Sequence, residues 1–159
     1  MVKAVYPGSF DPLTYGHLDI INRSKHLFAE INVAVVENPD KDCLFTSGKR
    51  VEIIENAVKD IPRVTVEAFS GLTVNYVKNI GADTIIRGLR SVSDFEGELQ
   101  MANMNRTMCS EVETVFLMTS PKYAHVSSSL IKEIAEFKGE YYQFVPESSA
   151  RALKKKFSS

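Results

Sequence analysis

The segment at residues 6–17, YPGSFDPLTYGH, combines residue types that could bind a phosphate group. Gly8 lets the backbone approach a ligand closely, and Ser9 offers a hydroxyl beside backbone N–H groups. His17 stands where a helical pattern begins. Helix N-termini favour anions, and an imidazole there can donate a hydrogen bond to a phosphate. The plainer interpretation is a rigid turn in which Thr14 caps the helix and His17 is an ordinary surface residue.

Two arginines flank a glycine in the segment IIRGLR at residues 85–90. The guanidinium groups of Arg87 and Arg90 could bind phosphate oxygens in a bidentate manner, and Gly88 permits close approach of the backbone. The alternative is that both arginines form surface ion pairs with the acidic residues of segment 94–98, worth about 0–1 kcal/mol each. The position after an apolar, strand-like run favours the binding interpretation.

The segment YAHVSSS at residues 123–129 indicates a second anion site. Three hydroxyls and several N–H groups precede a helical pattern that starts at Leu130, although the serines could equally serve only as helix caps. By itself, His125 is typical of an ordinary loop histidine. Lys41 follows the second strand-like run, and its flexible side chain could place a point charge over a phosphate, although most lysines are simply solvated.

Short apolar runs alternate with helical periods along the chain. The pattern predicts strands at 2–6, 31–36, 64–69, 83–87 and 114–119, and helices at 17–28, 49–59, 72–79, 93–109, 128–137 and 147–157. Almost wholly apolar strands indicate a sheet covered on both faces, and repeated βα units imply right-handed crossovers and mainly parallel strands. We therefore expect an α/β fold: a doubly wound, parallel, five-stranded sheet with helices on both faces, in a single domain over residues 1–159.

The spacing of apolar residues predicts which helix faces are buried. One face of the first helix carries Leu18, Ile21 and Phe28, and one face of the second carries Val51, Ile54 and Val58. On the fourth helix, Met101, Met104 and Met108 share a side, which predicts packing inside the domain or against another subunit. In a doubly wound sheet, ligands bind beyond the carboxyl ends of the strands, so the segments that follow the strands should converge there.

Composition and charge exclude several function classes. With 19 Lys and Arg against 20 Asp and Glu, the net charge is -1, so the chain lacks the basic footprint of a nucleic-acid-binding protein. Cys43 and Cys109 are the two cysteines and form no CxxC motif, which excludes a disulfide framework and a zinc site. Without a signal-peptide pattern or an apolar run of about 20 residues, we expect a cytoplasmic protein with no membrane partner. The motifs of P-loop ATPases, dinucleotide dehydrogenases, zinc proteases and GxSxG hydrolases are also missing.

Three segments in order, YPGSFDPLTYGH, IIRGLRSVSDFEGELQMANMNR and VSSSLIKEI, make the chain similar to the bacterial phosphopantetheine adenylyltransferases over essentially its whole length. The (H/T)xGH signature of the nucleotidyltransferase superfamily is matched by Thr14, Gly16 and His17. The resemblance implies a Rossmann-like fold and transfer of an adenylyl group from ATP to 4′-phosphopantetheine, giving dephospho-coenzyme A and pyrophosphate. It also implies a homohexamer and Mg²⁺ carried mainly by ATP phosphates, with no metal held by the protein.

The resemblance also assigns a role to each matching position. The implied catalytic residues are His17, Ser9, Lys41 and Arg90. The implied ATP-binding residues are Ser9, Phe10, His17, Gly88, Leu89, Arg90, Glu98, Tyr123, Ala124, His125, Val126, Ser127, Ser128 and Ser129. The implied phosphopantetheine-binding residues are Ser9, Lys41, Thr73 and Arg87. Two positions depart from the family: some relatives carry a larger residue at Gly97, and some carry an apolar residue at Thr73.

The implied reaction fits the absence of a paired acid and base. A phosphomonoester has a second pKa of about 6, so the attacking phosphate is already ionised at neutral pH and needs no general base. One alternative is a related nucleotidyltransferase that acts on nicotinate mononucleotide or transfers from CTP to an alcohol phosphate. Another is a nucleotide-sensing module without turnover.

Overall fold

A computed structural model describes residues 2–158, and five parallel strands form its sheet in the order β3-β2-β1-β4-β5. The strands are β1 (Lys3–Gly8), β2 (Glu30–Glu37), β3 (Val64–Ser70), β4 (Thr84–Leu89) and β5 (Glu113–Met118). Each of the four strand pairings is parallel. The strand order reverses between β1 and β4, which is where a doubly wound sheet opens a crevice for ligands. The predicted α/β, Rossmann-like fold is confirmed.

Within residues 2–158, six α-helices connect and follow the strands. They are α1 (Tyr15–Ser24), α2 (Ser47–Val58), α3 (Thr73–Asn79), α4 (Val92–Met108), α5 (Ser128–Glu136) and α6 (Glu147–Phe157). Single 3₁₀ turns occur at Pro121–Tyr123 and Tyr142–Phe144. No helix within residues 2–158 is long and apolar enough to cross a membrane.

Alternate residues of the strands fill two cores on opposite faces of the sheet, as the two-residue period of a strand requires. The larger core takes Ala4, Tyr6, Ile31, Val33, Val35 and Ile86 from the strands and packs against α1, α2, α5 and α6. The smaller core takes Val5, Ala34 and Ile85 and packs against α3 and the segment that follows α4. This arrangement confirms a sheet covered by helices on both faces.

Local predictions were wrong in three respects. The helix predicted to reach residue 28 ends at Ser24, because the amides of His26 and Leu27 bond to carbonyls three residues back instead of four. β1 and β4 each run two residues beyond the predicted end, to Gly8 and Leu89, because β1 pairs with β2 and β4 pairs with β5 along their whole length.

The third correction concerns the buried face of α2. Its buried residues are Arg50, Ile53, Ile54 and Val58, whereas Val51 is only partly buried. These four residues are spaced i, i+3, i+4 and i+8, so they share one face of the helix, and the first of them is an arginine. Ile54 and Val58 lie on the buried face as predicted, whereas Val51 packs against its margin and the charged Arg50 is buried in addition.

α4 leaves most of its apolar side chains exposed. Its buried residue is Asn105, and Phe95 contacts Phe116 of β5 edge-on, with ring centroids 5.5 Å apart. Met101, Met104 and Met108 are 58%, 57% and 47% exposed, so they do not pack inside this chain. Of the two predicted roles for these methionines, packing against another subunit is the one that stays a prediction.

Candidate active site

A cleft of about 590 Å³ opens at the carboxyl ends of β1 and β4. It brings together most of the candidate residues. Those lining it are Ser9, Phe10, His17, Lys41, Arg87, Gly88, Arg90, Glu98, Val126, Ser127, Ser128 and Ser129. The volume suits a nucleotide-sized ligand, since small-molecule sites typically span about 300–1,000 Å³. Four segments that are distant in the sequence therefore converge on one cavity.

The loop after β1 is folded tightly around Phe10. Phe10 has a φ of +47°, a left-handed conformation that is costly for a residue with a side chain. Its buried ring compensates, packing edge-on against Tyr6 and against the imidazole of His17, with centroids 5.2 and 5.0 Å away. A Cβ on Gly8 would come within 3.0 Å of this ring, so the close packing requires glycine there. The side chain of Phe10 is thus part of the packing that holds the loop against His17.

The first turn of α1 holds His17 in one orientation. The hydroxyl of Thr14 accepts from the His17 amide, and the Thr14 amide donates to His17 Nδ1 at 3.0 Å. An atom that accepts an N–H carries no proton, so the neutral imidazole is protonated at Nε2. The second ring nitrogen is therefore available as a hydrogen-bond donor. The predicted cap at Thr14 is confirmed, and it also orients the imidazole.

The imidazole of His17 is neutral at physiological pH. Burial, together with the positive charges of Arg90 and Arg87, lowers its pKa from 6.5 to about 4. The arginines act on the imidazole across the same cleft, which places all three groups around one volume. His17 is therefore suited to donate a hydrogen bond and not to act as a base near pH 7.

Lys41 reaches across from the loop after β2 to the loop after β1. Its Nζ donates to Ser9 Oγ at 2.9 Å, linking two segments 32 residues apart. The lysine is exposed, and its ammonium forms no ion pair within the described residues. An ammonium and a hydroxyl side by side at the cleft margin are well placed to bind one phosphate.

Arg87 is held by groups on both sides of the cleft. Its Nε donates to Glu98 at 2.6 Å, its Nη2 also donates to Glu98, and its Nη1 donates to the Pro7 carbonyl at 3.0 Å. Burial alone would lower the pKa of Arg87, but the hydrogen bond and charge of Glu98 outweigh it and raise the pKa. The guanidinium is thus a fixed positive charge, with N–H groups left over for a ligand.

Arg90 joins the end of β4 to the serine segment. Its backbone amide donates to Asp94 at 3.0 Å, its Nε lies 3.4 Å from the same carboxylate, and its Nη1 donates to the Val126 carbonyl at 3.3 Å. Both arginines therefore form the ion pairs that the alternative interpretation predicted, Arg87 with Glu98 and Arg90 with Asp94. Their ion pairing does not exclude binding, because both pairs line the cleft instead of an outer surface.

Two of the three serines are already used by the fold. Ser127 caps α5 by accepting from the Leu130 amide at 3.1 Å, and Ser128 donates to the Pro12 carbonyl at 2.7 Å. The second contact ties the start of α5 to the loop after β1. What the segment offers to an anion is therefore the N-terminal amides of α5, with Ser129 at the cleft wall.

Five residues with an implied role lie outside the walls of the cleft. Leu89 is buried, and Thr73 begins α3 after the edge strand β3. The Tyr123 ring lies against Tyr15 and the His125 ring against Phe144, each with centroids 5.8 Å apart. Ala124 follows the 3₁₀ turn and is also outside the walls. Ligand contacts for these five residues stay predictions.

Two buried charged residues beneath the cleft were missed by sequence reasoning. Asp11 and Arg50 are 3% and 4% exposed and make hydrogen bonds to the loops that carry Ser9 and Lys41. The position of Arg50 on the apolar face of α2 was a usable signal. Asp11 stands between two prolines in the first loop and offered no comparable one.

No group of three or more His, Cys, Asp or Glu side chains within residues 2–158 could hold a metal ion. The acidic side chains of the cleft, Asp94 and Glu98, already accept from Arg90 and Arg87.

The fold and the cleft together define a doubly wound, Rossmann-like α/β domain with its candidate site at the strand-order reversal. The chain matches the model of the family described as cytidylyltransferase-like over residues 5–134. This range runs from β1 into α5 and so contains every residue that lines the cleft.

Relatives that match almost the whole chain narrow the assignment. The phosphopantetheine adenylyltransferase of Caldanaerobacter subterraneus is 54% identical, covering 99% of this chain and 98% of the relative. Those of Alkaliphilus metalliredigens and Staphylococcus carnosus are each 52% identical, covering 98% of this chain and 99% and 96% of the relatives. The chain therefore belongs to the cytidylyltransferase-like family and, within it, to the phosphopantetheine adenylyltransferases.

Proposed function

We propose that the chain transfers the adenylyl group of ATP to 4′-phosphopantetheine, giving dephospho-coenzyme A and pyrophosphate. The observation that carries this proposal is the single cleft in which the His17 imidazole, the Lys41–Ser9 pair and the two arginines at the end of β4 share one volume. The names of the relatives supply the two substrates. Both substrates carry phosphate, and this cleft offers donors and positive charge without a general base.

The acceptor phosphate is bound by Lys41, Ser9 and Arg87. An oxygen of this phosphate attacks the α-phosphorus of ATP in line, and the bond from that phosphorus to the oxygen bridging to the β-phosphate breaks. The electron pair leaves with pyrophosphate. Because one displacement completes the transfer, no covalent enzyme intermediate forms. Catalysis then comes from alignment of the reactants and stabilisation of developing charge.

The nucleotide phosphates are bound by Arg90, the amides at the start of α5 and His17. Nε2 of His17 donates to the α-phosphate as negative charge accumulates on its oxygens. Because Thr14 and Phe10 hold the ring, the donor needs no reorientation during the reaction. Thr73, Leu89 and the segment 123–125 are assigned to the outer parts of the two substrates by resemblance alone.

Mg²⁺ enters as part of the ATP substrate. It keeps most of its waters and prefers phosphate oxygens to a cage of protein ligands. The pairing of both cleft carboxylates with arginines supports this assignment.

We also propose a homohexamer in the cytoplasm, as the family resemblance implies. The exposed apolar side chains of α4 support assembly, because a patch of this kind typically marks an interface. They are Val92, Phe95, Leu99, Met101, Met104 and Met108.

Sedimentation should give a hexamer for the native chain and smaller species for Met104→Glu, while a monomeric native chain would contradict the assembly.

The deciding experiment is pyrophosphate release from Mg-ATP with different acceptors. We expect release with 4′-phosphopantetheine and none with nicotinate mononucleotide or without acceptor, and CTP should not replace ATP. Release with the mononucleotide would identify a different nucleotidyltransferase. ATP binding without pyrophosphate release under any of these conditions would identify a sensing module.

A further inference from the structure

Arg50 is a buried guanidinium that faces backbone carbonyls and no carboxylate within the described residues. It is 4% exposed. Its Nη1 donates to the Ser9 carbonyl at 2.8 Å and to the Val36 carbonyl at 3.2 Å, and its Nε donates to the Phe45 carbonyl at 3.1 Å. One side chain therefore joins the loop after β1, the end of β2 and the loop that precedes α2.

The carbonyl that Arg50 holds belongs to the same residue whose hydroxyl meets Lys41. Ser9 Oγ accepts from Lys41 Nζ at 2.9 Å, and Lys41 lies between Val36 and Phe45, the two other residues held by Arg50. The anchors thus bracket the loop that carries the lysine and fix the residue with which it pairs. Planar guanidinium N–H groups in a fixed fork suit this task better than a flexible ammonium does.

Asp11 braces the same two loops from the other side. Its carboxylate accepts from the amides of Leu44 and Phe45 at 2.8 and 3.0 Å, and from Lys132 Nζ at 3.1 Å. The backbone of Phe45 therefore makes two side-chain hydrogen bonds: its amide donates to Asp11, and its carbonyl accepts from Arg50. These two bonds leave the loop carrying Lys41 little freedom to shift relative to Ser9.

We propose that Arg50 is a positioning residue for the acceptor phosphate, acting through Ser9 and Lys41. The inference rests on the proposed function, since it supposes that this pair binds the phosphate of phosphopantetheine. Arg50 touches no substrate. It sets the distance between the ammonium and the hydroxyl, so its loss displaces the acceptor phosphate, while Arg90 and the amides at the start of α5 keep their positions for the phosphates of ATP.

Arg50→Lys tests the proposal because it keeps the positive charge and removes the fork. We expect the KM for phosphopantetheine to rise about tenfold, the scale of one lost charge-assisted hydrogen bond, with the KM for ATP within about twofold of the native value. A merely structural role would lower the amount of active protein without moving the two KM values apart. Equal KM values for the acceptor in variant and native enzyme would overturn the proposal.

A double-mutant cycle with Lys41→Ala sharpens the test. If Arg50 acts through Lys41, the effect of Arg50→Lys on the acceptor KM should largely disappear once Lys41 is alanine. If the effects of Arg50→Lys and Lys41→Ala on the acceptor KM were fully additive, Arg50 would not act through Lys41 and the proposal would be overturned. Arg151→Lys on α6 is the matched control: Arg151 is exposed, its partner is Glu147, and both KM values should stay native.

Two further outcomes keep the test decisive. If Arg50→Lys does not fold, Asp11→Asn loosens the same loop from its other side, and the same split between the KM values is expected. An unsplit effect there overturns the proposal. Native enzyme that releases no pyrophosphate with phosphopantetheine overturns the proposed function itself, whereas active native enzyme with an unaltered Arg50→Lys variant overturns only the role of Arg50.

Discussion

The two sides of the cleft are supported in different ways. The first-loop side, residues 9–17 and 38–46, rests on the buried side chains of Asp11 and Arg50. The arginine side, residues 87–98, is held by partly exposed pairs between Arg87 and Glu98 and between Arg90 and Asp94.

This difference makes the first-loop side of the cleft rigid and the arginine side adjustable. Removing a buried charged side chain that bonds to backbone groups leaves those groups without partners, at a cost of about 1–3 kcal/mol each. The pairs of the arginine side are partly exposed, so water can solvate a carboxylate that a phosphate displaces. We infer that the first-loop side fixes the geometry of attack, while the arginine side adapts to the charge it receives.

His17→Ala should produce the largest loss. The variant removes the donor that we propose for the α-phosphate in the transition state, so kcat should fall about 10²–10³-fold while the affinity for ATP changes little. Steady-state pyrophosphate release and ATP calorimetry measure the two quantities. Near-native turnover would remove His17 from the transition state.

The pKa of His17 tests how strongly the arginine side acts on the first-loop side. NMR titration of the imidazole should give a value of about 4 in the free protein, and Arg90→Gln should raise it. The pKa of His17 in the folded protein lies below the value of about 6.5 in the unfolded chain. The contribution of His17 to the free energy of unfolding should therefore be fully present above pH 6.5 and should be lost as the pH falls towards 4. A free-protein pKa near 6.5 would show that burial and the arginines do not act on the ring.

Lys41→Ala probes the first-loop side directly. Loss of the ammonium should raise the KM for phosphopantetheine about tenfold, as expected for one charge-assisted contact, and leave ATP binding unchanged. Kinetics with each substrate varied in turn give both constants. A defect confined to ATP would contradict the assignment of Lys41 to the acceptor.

Much of this architecture could be predicted from the sequence, because it depends on local patterns. The apolar run at 33–36 indicated a buried parallel strand, and Thr14 and His17 carried a recognisable signature at a helix start. The end of β4 at Leu89 could not be predicted, since it depends on pairing with Met118 of β5. The bond from Arg50 to Ser9 was equally inaccessible, because it spans 41 residues and requires the fold.

Glu98→Gln should have the smallest effect if the comparison holds. The amide keeps an acceptor for Arg87 and loses the charge, so the KM for each substrate should change less than about fivefold, equivalent to about 1 kcal/mol. Asp94→Asn, the matched change at the other pair, should behave alike. An effect as large as that of Arg50→Lys would show that the arginine side is as rigid as the first-loop side.

The stereochemical course at the α-phosphorus tests the central claim most directly, namely that two phosphorylated molecules meet in one cleft and react in a single step. One diastereomer of the α-thio analogue of ATP, given as the adenylyl donor with 4′-phosphopantetheine, should yield the corresponding thio analogue of dephospho-coenzyme A, which keeps the sulfur and has inverted configuration at that phosphorus. Retention of configuration would reveal two displacements and an adenylylated enzyme, and would contradict direct transfer.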